Sequence, residues 1–335
     1  MDPLSQGLLG ASLSQSVSNR PRFVVAGVLG LLSGLAPDID VLIRSSHDPL
    51  LFLEFHRQFT HSLLFIPIGS LICAMLFHPL IAKKRGFSFK QSWLYCTLGY
   101  ATHGLLDACT SYGTQLLWPL TNERFAWNSI SVIDPLFTLP LLIVLAIALW
   151  KRSPAIARVA FLWALIYPTL GMLQRDRAER TGWQVANERN HSPVRLEAKP
   201  SFGNILVWKI IYEADGRFYI DAVRAGQKLT VYPGTNVEKL NEEKAFPWLH
   251  ENSQQAKDIG RFSWFSDDFV ALSEQSNQRI IDVRYSIVPN ELNALWSISL
   301  SENAADNEHV TYLTHRSSSE KDRQRFYNML FGRSQ

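Results

Sequence analysis

"SLLFIPIGSLICAMLFHPLIA", residues 62–82, runs for 21 residues without a charge. A helix crosses the roughly 30 Å hydrocarbon core of a bilayer in about 20 apolar residues. The run is therefore long enough to span. A buried helix in a soluble core is the competing reading, and it has to explain the company this run keeps. Phe23–Ala36, Gln91–Leu106, Pro135–Trp150 and Val159–Gln174 are four further apolar runs in the same half of the chain. Residues 1–174 hold 12 Lys/Arg and 8 Asp/Glu, whereas the remaining 161 residues hold 21 and 22. A mean hydropathy of -0.03 hides that split. Five apolar runs gathered in one charge-poor half predict an α-helical polytopic membrane domain over residues 1–175. A separate extramembrane domain is expected over residues 176–335. Leu4–Val17, rich in Gly, Ala and Ser, fits a further short or re-entrant helix.

Several classes fall away. The start of the chain is acidic and has no basic segment, so no cleavable signal is expected. A net charge of +3 argues against nucleic acid as a partner and leaves the oligomeric state open. Cys73, Cys96 and Cys109 form no CxxC pair, and the polar half has no cysteine to stabilise it.

Short-loop Lys and Arg set the orientation of membrane helices. Arg20 and Arg22, then Lys83, Lys84, Arg85 and Lys90, then Lys151, Arg152 and Arg158 lie in alternate connections. Those are nine of the twelve basic residues of this half, and they fall on one side if every run spans. That side is expected to be cytoplasmic. Asp38, Asp40, His56, His61, His103, Asp107 and Asp134 then share one layer at the opposite ends of the helices, and residues 176–335 follow on the same, periplasmic side.

The layer is where chemistry is expected. "GLAPDID", residues 34–40, ends the first run with Asp38 and Asp40. Two adjacent carboxylates share a site poorly without a cation, although solvated helix-end acids would look the same in sequence. "HRQFTHS", residues 56–62, opens the second run. His61 reads as a ligand rather than an interface residue because the aspartates share its layer. His56 can be a ligand, a general acid or base, or a partner behind the ligands. Arg57 suits an anion such as phosphate, or is a solvated interfacial charge. "HGLLD", residues 103–107, is the strongest local signal. His103 and Asp107, four apart on one helix face, are ionisable groups inside an apolar run, where such groups are costly. Asp134, before Pro135, is equally a helix cap or a ligand. A mixed carboxylate and imidazole set suits a divalent Zn, Mn or Fe ion, one or two of them.

"GLAPDID", "HRQFTHSLL", "GYATHGLLDACTSYGTQLLWPL" and "SVIDPLFTLPLL" resemble, in this order, the YdjM-like inner-membrane metal-dependent hydrolases, over about residues 1–175. The resemblance implies a multi-pass protein of the bacterial inner membrane with a metal site on Asp38, Asp40, His61, His103 and Asp107. Tyr112, Gly113, Trp118 and Pro119 would shape the turn behind it. The chain departs from the pattern at Gln6, where such sequences often carry a histidine.

In the second half the period changes. "NILVWKIIYEADGRFYIDAVRAG", residues 204–226, reads as two strands joined at Asp215-Gly216. "RFSWFSDDFVAL", "QRIIDVRYSIV", "ALWSISL" and "HVTYLTHR" read as further strands, and "SSEKDRQRFYNMLFG" as a closing helix. Residues 175–200 read as polar and irregular. A mainly antiparallel β domain is expected. Pro200, Asn204 and Trp208 resemble a pattern in longer members of the same family. Asp267, Asp268, His191, His250, His309 and His315 lack metal spacing and read as surface.

The functional expectation is a membrane-bound, metal-dependent hydrolase. His56 would move protons and Arg57 would steady an anion. Membrane lipids would surround the site, and a lipid or lipid-linked phosphate or ester would be the substrate. The alternative is a non-catalytic protein with a structural metal site and a β domain for binding or assembly. A transporter would need ionisable groups through the bilayer, and here they stop at one face.

Overall fold

A computed structural model describes residues 1–333. Two compact units emerge, and neither is one continuous stretch. The first holds Met1–Leu42, Phe55–Met172 and Phe202–Asn204, and the second Ile43–Glu54, Leu173–Ser201 and Ile205–Gln335.

The first unit is a helical bundle. Helix α1 (Pro3–Ser16) starts on Asp2, whose carboxylate accepts from Ser5 N at 3.0 Å. It is the short helix expected near the start, and it is buried although Ser5, Gln6, Ser12, Ser14 and Gln15 lie along it. It packs on α2 (Phe23–Leu35), and small residues at the crossing let the two backbones approach. The chain then tightens into a 3₁₀ turn over Ala36–Leu42. Helix α3 (Leu51–Phe55) is one short turn before the second run. Helix α4 (Ile66–Phe77) continues through a π turn (His78–Ala82) and a 3₁₀ turn (Lys83–Arg85), and stops at Gly86 in the left-handed region. Helix α5 (Phe89–Ala108) begins with a capping box between Ser88 and Gln91. It lies close against α2 at Gly99, where a Cβ would run into Gly30 O and Ser33 Oγ. Asp134 caps α6 (Pro135–Lys151), accepting from Leu136 N at 3.1 Å and from Tyr167 Oη at 2.9 Å. Of its two readings from sequence, the structure shows the cap.

Three stretches are long and apolar enough to cross a membrane: Arg20–Leu42, Leu63–Arg85 and Pro154–Glu188. Ile68, Ile72, Met75 and Leu76 stand exposed along one stripe of α4, at the spacing of a single helix face. In water such a stripe would be a liability; against acyl chains it is the lowest-energy arrangement.

Helix α7 (Pro154–Glu188) corrects one expectation. It does not end near Gln174 but runs 35 residues. The stretch 175–200 is therefore mostly helix, followed by a strand. The polar composition that suggested irregular chain is that of a helix whose small residues, Ala178 and Ala186, face a sheet.

In the second unit, β1 (Arg195–Pro200), β2 (Val207–Ala214), β3 (Arg217–Ala225) and β4 (Leu229–Glu238) form one antiparallel sheet in sequence order. The β2–β3 turn has positive φ at both Asp215 and Gly216, as the sequence predicts for a tight hairpin. After α8 (Glu242–Ala245) and α9 (Gln254–Phe265), β5 (Val270–Ser273), β6 (Ser276–Asp282), β7 (Trp296–Ser299) and β8 (Thr311–Thr314) form a second antiparallel sheet. Helix α10 (Glu320–Phe331) closes the described chain, with a Ser319 capping box and Gly332 after it. Strand β2 is covered on both faces: Trp208, Ile210 and Tyr212 pack with Ala178 and Ala186 of α7, while Ile211 packs with Phe269 and Ile281. The layers are thus α7, the first sheet, then the second sheet. "RFSWFSDDFVAL" is not one strand: Arg261–Phe265 closes α9, Asp267 and Asp268 turn with positive φ, and the strand begins at Val270. Its aromatics sit at helical spacing, Phe262 and Phe265 both buried, which a strand reading misassigns.

Candidate metal centre

Three segments of the first unit meet at one point. Pro37 stops α2, and the 3₁₀ turn that follows carries Asp38 and Asp40. A second 3₁₀ turn, Phe59–His61, presents His61. Helix α5 presents His103 and Asp107 from the same face, one turn apart. Gly104 lies between them, and a Cβ there would strike the His61 carbonyl oxygen, so this glycine is what lets α5 approach the His61 turn.

Asp38, His61, His103 and Asp107 each offer one ligand atom, all within 4.8 Å of one another. His61 Nε2 lies 3.0 Å from His103 Nε2, 3.5 Å from Asp38 Oδ1 and 3.2 Å from Asp107 Oδ2. His103 Nε2 lies 3.3 Å from Asp38 Oδ1 and 3.7 Å from Asp107 Oδ2. Four donors around one ion at about 2.0–2.2 Å stand roughly 3.3–3.6 Å apart at the corners of a tetrahedron. The observed edges bracket that value.

The ring tautomers agree. His103 Nδ1 sits 2.6 Å from Gly34 O, an acceptor only, so Nδ1 carries a proton and the neutral ring has its lone pair at Nε2. His61 Nδ1 faces Asp40 Oδ2 at 3.2 Å and Thr60 Oγ1 at 3.0 Å, which assigns it the same way. Two lone pairs 3.0 Å apart repel unless a cation lies between them. Asp107 Oδ2 is buried without a well-aligned hydrogen bond. Arg57 Nε lies 3.0 Å from it, but the contact is ionic and badly angled, since neither atom has a hydrogen-bond partner. The cluster can therefore hold a metal ion.

Asp40 stands beside this cluster. Its Oδ2 accepts from Arg57 N at 3.0 Å and Thr60 Oγ1 at 2.8 Å, and its Oδ1 meets His56 Nδ1 at 2.8 Å. Asp38, Asp40 and His56 also lie close enough together to form a second ligand group. His56 is the least enclosed of the three histidines at the cluster, its ring centroid 5.9 Å from that of His61 and edge-on to Tyr112. Arg57 has positive φ and is buried rather than solvated. Its Nη1 donates to Thr110 Oγ1 at 2.9 Å, and its guanidinium lies 4.7 Å over the Tyr112 ring. Gln6 is fully buried and donates from Nε2 to Asp107 Oδ1 at 3.0 Å and to His103 O at 3.3 Å. It holds the Asp107 carboxylate from behind, where a histidine in its place could instead face the cluster.

A family profile described as "YdjM inner membrane protein" matches residues 1–178. This chain belongs to that family. The chain is 29% identical over 154 residues to "Inner membrane protein YbcI" of Escherichia coli (strain K12), a match that covers 43% of this chain and 84% of the relative. No solved structure matches. The protein is therefore an inner-membrane protein, and the apolar stretches of the first unit are its membrane-spanning part.

Asp38, Asp40, His56, Arg57, His61, His103 and Asp107 lie at this one place, whereas Asp134, expected in the same layer, caps α6. Thr60, Gly34 and Thr110 were not singled out as partners. Thr60 offered a hydroxyl beside His61 as its only signal, and the Gly34 contact uses a backbone carbonyl, which no sequence displays. Among the described residues of the second unit, no group of three metal-ligating side chains converges.

Proposed function

We propose that this protein is a membrane-embedded, zinc-dependent hydrolase acting on a phosphate or carboxylic ester carried by a lipid. The observation that carries the reading is the pair of Nε2 lone pairs, 3.0 Å apart, capped by two carboxylate oxygens at tetrahedral spacing. Two nitrogens and two oxygens at that spacing suit zinc better than the larger octahedral ions. When bound, the ion would supply Lewis acidity to a phosphoryl or acyl oxygen.

The residues divide the work. Asp38, His61, His103 and Asp107 hold the ion. Asp40 fixes the His61 tautomer and orients His56 through Nδ1, the relation found between an orienting carboxylate and a general base. His56 then has Nε2 to take up or give a proton. Arg57, fixed by Asp107, Thr110 and Tyr112, places a permanent positive charge beside the cluster, where an anion would develop. Ile39, between the two aspartates, is 66% exposed, and Leu42 and Leu64, each within four residues of the cluster in the chain, are also exposed. An apolar rim favours a substrate with acyl chains over a small soluble one. The charge bias of the loops supports a site and second unit on the periplasmic side.

The test is purification in detergent, metal analysis by mass spectrometry, and turnover on phospholipids and lipid phosphates beside water-soluble phosphomonoesters. Zinc lost in His103→Ala, with turnover confined to lipid substrates, is the expected result. Bound zinc with no turnover on any of them would mean a structural site.

A further inference from the structure

The chain between the two ligand motifs belongs to the other unit. Ile43–Glu54 begins three residues after Asp40 and ends two before His56, yet it packs within the second unit. A single side chain holds much of this strap. Arg261, on α9, donates from Nη1 and Nη2 to the two oxygens of Asp48 at 2.9 and 2.8 Å, and from Nε to Glu54 Oε1 at 2.5 Å. Asp258 Oδ1 accepts from Nη1 at 2.9 Å, and Asp258 Oδ2 meets His309 Nδ1 at 2.8 Å. Leu50 and Leu53 are fully buried, and Phe52 stacks edge-on against Tyr312 at 5.2 Å. A hinge loop between metal ligands has no need of such a clamp. Glu54 sits in α3, and that turn runs directly into His56 and the positive-φ Arg57.

We propose that Arg261 is a positioning residue of the metal centre. By fixing Asp48 and Glu54 it holds the backbone of residues 55–61, and so sets where His56, Arg57 and His61 stand. A change at Arg261 is then felt at the site through the short stretch of chain that joins Glu54 to His56. The inference rests on the metal reading above for its affinity arm only.

The experiment uses the full chain in detergent, with Arg261→Ala, Arg261→Lys and, as a control, Lys239→Ala, which breaks a 2.8 Å pair with Glu213 elsewhere in the same unit. Zinc affinity and amide hydrogen exchange are measured on each. Arg261→Ala is expected to weaken zinc about tenfold or more, as loss of a partner behind the ligands does. Exchange should speed up through residues 43–61 while the β2–β3 amides stay protected, which separates loosening of the strap from unfolding. Arg261→Lys should recover part of both effects, and Lys239→Ala neither. If residues 55–61 exchange at the wild-type rate in Arg261→Ala, the proposal is wrong, whatever happens to 43–54. If wild-type protein binds no zinc, the metal reading fails and the exchange arm alone decides Arg261.

Discussion

Asp40→Asn decides whether the site holds one ion or two. Asp40 can be a ligand to a second metal with Asp38 and His56, or it can be the acceptor that orders the histidines. The structure favours the second role, since both its oxygens already face donors: His56 at 2.8 Å, Thr60 at 2.8 Å, Arg57 N at 3.0 Å and His61 at 3.2 Å. Asparagine keeps one acceptor oxygen and sets an NH2 against a donor. Removing such a partner typically costs 10–100-fold in metal affinity, about 1.4–2.7 kcal/mol. A lost ligand costs more: about 10–16 kcal/mol shared over four donors is roughly 3 kcal/mol each, or more than 100-fold. The assay is a zinc titration with stoichiometry fixed by mass spectrometry, at concentrations well above the weakened dissociation constant. We expect one equivalent in both proteins and a 10–100-fold weaker constant in the variant. Two equivalents in the wild type falling to one in Asp40→Asn would refute the argument, because Asp40 would then be a ligand.

Three further outcomes follow from the packing. Gly104→Val should strip the metal and lower the melting temperature, because a Cβ there meets the His61 carbonyl, and overpacking of that kind costs about 1–3 kcal/mol; metal content and thermal unfolding read it. Arg284→Met should destabilise the β unit by about 3–5 kcal/mol, since it leaves Asp282 as a buried, unpaired charge, whereas the double change with Asp282→Leu should recover most of the loss. Lys209, enclosed on β2 and donating to Ser286 Oγ and Glu291 O, has its ammonium pushed down to about 7 by burial. A cation with a lowered folded-state pKa penalises folding below that value, and the penalty fades as pH rises toward the unfolded value of about 10.4. Lys209→Met should therefore raise the melting temperature relative to wild type most at pH 6 and progressively less toward pH 10.

The membrane half was legible because its signals are redundant. The charge-free run 62–82, the nine basic residues in alternate connections and the ionisable pair His103 and Asp107 each pointed to the same layer independently. In the second half the alternation in β2 and β3 and the Asp215-Gly216 turn were readable, but β1 and β4 were not. Strand β4, "LTVYPGTNVE", carries Pro233 and Gly234 inside it, both of which argue against a strand by local propensity. It forms because β3 offers it a partner, with the register shifting between Ile220 and Ala222. The helical course of 175–188 was hidden for a related reason: its face against the sheet is made of small residues, Ala178, Gly182 and Ala186, so composition alone marks it as loop. The strap 43–54 was invisible because its partner, Arg261, is about 210 residues away in the chain, and ion pairs at that separation leave no local pattern.

The charge of the site argues for one divalent ion on grounds separate from distance. Asp38, Asp40 and Asp107 bring three negative side chains together, and Arg57 returns one positive charge. The amino group of Met1, buried against Asp107 Oδ1, adds a second positive charge, so with both histidines neutral these groups sum to minus one in a buried place. Burying even one uncompensated ion costs several kcal/mol, so an empty cluster in this arrangement would have to take up protons or open to water. One dication brings the sum to plus one, a charge that a single anion completes. Two would overshoot to plus three. Gln6 fits the same ledger: it holds Asp107 as a neutral donor and leaves the charge of the site unchanged.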